Sequence, residues 1–105
     1  MTKDLEIQEN IARLLIDKAP HGARLIVCSA AMLDNNSACK LQYRYESESG
    51  EEGYFTGGGK FNSKIHDLLN EHSDYFVLQD QPRWTSCVLT VNLDQGKVSL
   101  DLKYE

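Results

Sequence analysis

Apolar residues recur at helical spacing near the start of the chain. Ile7, Ile11, Leu14, Leu15 and Ala19 draw one stripe, while Asp4, Glu6, Glu9, Arg13 and Asp17 cover much of the remaining surface. The spacing predicts a helix from Lys3 to Ala19, with Thr2 as a candidate N-cap and Pro20 and Gly22 as the stop. The period then changes. Arg24 to Leu33 is apolar on both parities and carries the strand-favouring pair Ile26-Val27, which predicts a strand central in a sheet and buried on both faces. Asp34-Asn35-Asn36 is a turn signal. Beyond it Cys39, Leu41, Tyr43 and Tyr45 alternate with Lys40, Gln42, Arg44 and Glu46, the pattern of a strand with one wet face.

Glu46 to Gly53 lacks any apolar residue and predicts an exposed acidic loop. Tyr54-Phe55-Thr56 reads as a short third strand, broken by Gly57-Gly58-Gly59. A second helix is expected from Asn62 or Ser63, either serving as N-cap, to about Tyr75, with Ile65, Leu68, Leu69, His72 and Phe76 on one side. Phe61 before it suits a hydrophobic staple. Gln79 to Pro82 is a loop, and Trp84 to Leu93 a fourth strand. Gly96 supplies the left-handed residue of a tight turn. On the last strand Val98, Leu100, Leu102 and Tyr104 face the core, and Lys97, Ser99, Asp101, Lys103 and Glu105 face water. The order α-β-β-β-α-β-β predicts an α+β fold: one domain over residues 1–105, with a five-stranded antiparallel sheet and two helices on one face.

Composition narrows the function classes. At 105 residues, 41% hydrophobic and 26% charged, the chain suits one core and is not of disordered type. A net charge of -5 disfavours direct nucleic-acid binding, which needs a basic patch, and permits a basic protein partner. The charged start predicts a chain without a secretory leader, and no run approaches the ~18 apolar residues of a membrane span, so a cytoplasmic location is expected. Three cysteines, Cys28, Cys39 and Cys87, fit small buried thiols better than a disulfide framework or a zinc site.

Candidate chemistry is sparse. Gly57-Gly58-Gly59-Lys60 is followed by Phe61 and lacks the spacing and hydroxyl of a phosphate loop. His66 and His72 fall on different faces of their helix, and His72, on the apolar side, reads as a core histidine. The cysteines sit in strand interiors, and no serine lies in a nucleophile-elbow pattern. No catalytic, cofactor or metal residues are therefore assigned. The candidate partner-binding residues are Glu46, Glu48, Glu51 and Glu52, an acidic patch able to steer a basic partner, together with Tyr54. Phe55 and Trp84 are further candidate aromatic anchors, with core closure the stronger reading for Trp84.

The last quarter carries a family resemblance. Pro82-Arg83-Trp84, Leu89-Thr90-Val91-Asn92-Leu93, the turn Asp94-Gln95-Gly96-Lys97, and Leu100-Asp101-Leu102-Lys103-Tyr104-Glu105 resemble the YezG-like immunity proteins, whose element order also looks like this one. The Gly57–Gly59 tract is not part of that pattern. The resemblance implies a non-enzymatic cytoplasmic inhibitor that binds a cognate bacterial toxin domain. The toxin would be a basic nuclease delivered by a contact-dependent or polymorphic toxin system, blocked by occlusion of its cleft. The sequence allows two other classes: a protein-binding adaptor or regulatory domain acting through a sheet edge or the acidic loop, and a small hydrolase with a site assembled from distant residues.

Overall fold

The computed structural model describes residues 3–33 and 38–104. The expected Thr2 cap, the Asp34–Asn36 turn and Glu105 lie outside the described residues. The elements follow in the order α1 (Lys3–Lys18), β1 (Ala23–Leu33), β2 (Ala38–Ser47), β3 (Glu52–Phe55), α2 (Gly58–Leu78), β4 (Ser86–Asn92) and β5 (Lys97–Lys103). The strands form one sheet, β3-β2-β1-β4-β5, and every neighbouring pair is antiparallel. The α+β architecture read from the alternation is the one observed.

Strand parity divides the sheet into two faces. One face is buried: Ile26, Cys28 and Ala30 of β1, Tyr43 of β2, and Cys87, Leu89 and Val91 of β4 pack with Ile7, Ile11, Ala12 and Leu15 of α1 and Phe61, Ile65 and Leu69 of α2. Val98, Leu100 and Leu102 complete this layer from β5. Helix α1 touches β1 and β5, and α2 touches β2, so both helices lie on the same side. The reading of β1 as buried on both faces needs correction. Its position is central, but Leu25, Val27, Ser29 and Ala31 point away from the helices and are only half-buried, sheltered by their neighbours in β2 and β4. The apolar run reflects a central strand in a two-layer fold.

Helix α2 is longer than the periodicity predicts, and neither Asn62 nor Ser63 caps it. Gly57 holds the N-cap position with no side-chain bond, and Asn62 lies inside the helix, where its Oδ1 accepts a hydrogen bond from the Tyr43 hydroxyl at 2.6 Å. The glycine tract is part of the packing. A Cβ on Gly57 would sit 2.1 Å from Phe61 Cδ2, so the chain enters the helix directly beneath the Phe61 ring. That ring meets Tyr43 edge-on, and Tyr43 stacks on Phe55. At the other end the helix runs on to Leu78, with Phe76 against His72 at a ring separation of 4.6 Å.

The remaining boundaries shift by a few residues. The acidic segment is a tight hairpin: β2 runs on to Ser47 and β3 begins at Glu52, so β3 spans Glu52–Phe55. Glu51 donates its amide to Ser47 Oγ at 3.1 Å inside that turn. Strand β4 begins at Ser86, leaving Trp84 in the segment that leads into it. Gly96 has φ +64, the left-handed geometry its turn was expected to need. Tyr104, placed on the core side by alternation, lies past the end of β5 and is 47% exposed.

Candidate protein-binding face

The site builds from the register of the sheet. On the face that no helix covers, Tyr54, Arg44, Val27, Thr90 and Ser99 form a row across all five strands. One step towards the hairpin, the row is Glu52, Glu46, Leu25, Asn92 and Lys97. Glu46, Glu52 and Tyr54 therefore share one surface, and Glu48 and Glu51 extend it on the connecting turn. Tyr54 is 67% exposed, a large aromatic side chain resting on a surface otherwise made of half-buried Leu25 and Val27 and flanking polar groups.

The acidic residues are not equivalent. Glu46 accepts from Arg24 Nη2 at 2.7 Å, and Arg24 Nη1 stands 3.8 Å from Asp94 Oδ2 in the β4–β5 turn. The hydrogen bond that Arg24 donates to Glu46, then the charge of that carboxylate, raises the pKa of the Arg24 guanidinium. Glu52 stands 3.8 Å from Arg44 Nη1. Both carboxylates are thus partly neutralised and serve to fix the rim of the sheet. Glu48 and Glu51 are exposed on the turn and join none of the ion pairs formed among the described residues. The free negative charge of the patch is concentrated at the hairpin tip.

Two of the aromatic anchor candidates do not stand on the uncovered face. Phe55 points to the helical side and stacks on Tyr43. Trp84 is fully buried. Its neighbour Arg83 donates to Ser73 Oγ at 2.9 Å and to Asp74 Oδ1 at 3.1 Å, clamping the Pro-Arg-Trp segment onto α2. The motif that stands out in the sequence is a structural brace, and Tyr54 is the anchor left available.

Sequence reasoning missed a buried polar relay. Trp84 Nε1 donates to His72 Nδ1 at 3.1 Å, and His72 Nε2 lies 2.6 Å from Asp4 Oδ1, which also accepts from Gln8 Nε2 at 2.9 Å. An indole N–H only donates, so Nδ1 must accept and the ring proton sits on Nε2, facing the carboxylate. Both imidazole nitrogens are committed to the fold. Asp4 and His72 are 68 residues apart in sequence, and nothing in the spacing of either marks the pair. Asp4 falls among the polar positions that flank the apolar stripe of the first helix, and in the fold it is the half-buried acceptor for His72 and Gln8. His66 is half-buried and its Nε2 is 3.2 Å from Asn70 Nδ2.

The thiols are held neutral. Burial pushes Cys28 up to about 12, with Cys87 and Cys39 adding to the shift, and burial pushes Cys87 up to about 12 as well. No disulfide joins them. Among the described residues no three His, Cys, Asp or Glu side chains are grouped to hold a metal ion, and no helix is long and apolar enough to cross a membrane. Compared with protein-family models and with curated proteins, the chain matches none.

Proposed function

We infer that this chain is a cytoplasmic immunity protein that binds and neutralises a cognate bacterial toxin, a nuclease, by covering its active-site cleft. The observation that carries this reading is the uncovered sheet face. It gathers Tyr54, Glu46 and Glu52 beside the free carboxylates of Glu48 and Glu51. A nuclease cleft is basic where it holds phosphates, and the hairpin offers carboxylates in the phosphates' place. Tyr54 supplies an aromatic anchor of the kind that dominates protein interfaces. The net charge of -5 favours encounter with a basic partner. The toxin class comes from the resemblance of the Pro82–Glu105 segment to the YezG-like immunity proteins.

Co-purification tests the reading. The tagged chain is co-expressed with the product of the adjacent reading frame, and the complex is stripped in denaturant. A stoichiometric complex, with nuclease activity in the refolded partner and growth arrest when that partner is expressed alone, is expected. A tight complex with a partner that neither arrests growth nor cleaves nucleic acid would replace the immunity reading with the adaptor class.

A further inference from the structure

The uncovered face has a second end. At the opposite side from the hairpin, register places Lys40, Ala31, Ser86 and Lys103 in one row across β2, β1, β4 and β5. Ala31 and Ser86 are the floor, and the two lysines, both exposed, are the walls. With strands spaced ~4.8 Å apart, the lysine Cα atoms stand about 14 Å from each other. Ser29, Gln42 and Val88 from the next row continue the floor, and the result is a solvent-open recess of about 430 Å³. Long side chains around short ones make a trough.

Among the described residues neither Lys40 nor Lys103 forms an ion pair. Asp101 lies in the neighbouring row, opposite Val88, yet it neither pairs with Lys103 nor lines the recess. The floor supplies hydroxyl donors from Ser29 and Ser86 and an amide donor from Gln42. Two ammonium groups and three neutral donors around a shallow slot complement carboxylates. The slot is open along its length and spans four strands, which suits a protruding chain segment rather than an enclosed small molecule.

We propose that this trough is a docking site for an acidic peptide segment of a protein partner, whose carboxylates pair with Lys40 and Lys103 while its backbone or small side chains rest on Ala31 and Ser86. The face is then polar along its length. Lys40 and Glu46 lie on the same side of β2, about 20 Å apart at the usual strand rise. A partner with an acidic segment at one end and basic groups at the other fits in one orientation only, since reversal sets like charges together at both ends. The inference rests on the uncovered face as a docking surface and holds whether or not the partner is a nuclease.

The test is a titration of the isotope-labelled full chain, followed by amide resonances. The probe is a blocked octapeptide of alternating Glu and Ala; the control is the same peptide with Lys for Glu. The acidic peptide is expected to move Ser29, Ala31, Lys40, Ser86 and Lys103 along one saturating isotherm. The double variant Lys40→Glu/Lys103→Glu should weaken that isotherm at least tenfold. Ala31→Gln, which fills the floor and keeps both charges, should weaken it too, so that shape and charge are tested separately. The basic peptide should move the Glu48–Glu52 hairpin and leave the trough still. The proposal is overturned if the trough does not respond at millimolar peptide, or if exposed Lys18, Lys60 and Lys64 respond as strongly. It is also overturned if inorganic phosphate at equal ionic strength reproduces the shifts, which would make the trough a simple anion site. None of these outcomes bears on whether the adjacent product co-purifies, so the two readings fail separately.

Discussion

Trp84 donates its indole N–H to Nδ1 of His72 across 3.1 Å, and both residues are closed to solvent. That bond joins the segment before β4 to α2, and the far side of the same imidazole reaches Asp4 on α1. One ring therefore connects both helices to the sheet entry. Replacing Trp84 by Phe keeps most of the apolar volume and removes the donor, leaving Nδ1 a buried acceptor without a partner. The expected loss is about 1–3 kcal/mol in urea unfolding, with the m-value unchanged. A loss under about 0.5 kcal/mol would mean that the bond adds nothing beyond packing.

The two buried thiols predict a stability that declines in alkali. In the unfolded chain a thiol titrates near 8.5. In the fold, Cys28 and Cys87 are each pushed up to about 12, first by burial. The folded state therefore holds its protons longer. The stability carried by the neutral thiols is complete below about pH 8.5 and is lost as pH rises towards 12, at ~1.4 kcal/mol per pH unit for each thiol. Unfolding free energies at pH 8, 9 and 10 should fall more steeply for the native chain than for the Cys28→Ala/Cys87→Ala variant. Parallel slopes would contradict the assignment.

The glycine tract should respond unequally to a single methyl group. Gly57→Ala would drive a Cβ into the Phe61 ring, at 2.1 Å from Cδ2, with an expected cost of about 1–3 kcal/mol. A Cβ on Gly59 meets nothing within 4 Å and lies inside α2, so Gly59→Ala should stabilise by about 0.5–1 kcal/mol. Thermal unfolding of the two variants checks the contrast, and equal shifts would place the tract outside the packing.

The hairpin tip and the aromatic anchor should divide kinetics from affinity. Glu48→Lys/Glu51→Lys alters exposed groups that hold nothing in place and should leave stability within about 0.5 kcal/mol. It should slow association with the partner roughly tenfold at low salt and flatten its salt dependence. Tyr54→Ala should leave the association rate nearly unchanged and speed dissociation, costing about 2 kcal/mol of affinity. Surface plasmon resonance at two ionic strengths separates the effects. A slow-associating Tyr54 variant with an unaffected charge variant would reverse the roles.

Much of this fold was legible because alternation and helical period are strong where one face is buried. Val98, Leu100 and Leu102 mark the core side of β5, and Ile7, Ile11 and Leu15 the core side of α1. What was illegible depends on contacts between distant residues. A local window shows that β1 is apolar on both parities; it does not show that only one face receives helices. Asp4 looks like a solvated first-turn acid until α2 brings His72 against it. The row Lys40-Ala31-Ser86-Lys103 exists only through the register of four strands. The acidic segment was visible in composition, but its placement beside Tyr54 on the uncovered face needed the β2–β3 pairing.

The account stands on that face being the one a partner covers, and hydroxyl-radical footprinting of the co-purified complex tests it most directly. Tyr54, 67% exposed on the uncovered face, should lose most of its oxidation on complex formation, together with Leu25 and Val27. Leu78 at 80% and Leu5 at 50%, both on the helices, should oxidise at the same rate free and bound. Protection of Leu5 and Leu78 with Tyr54 unchanged would put the partner on the helical layer and contradict the account.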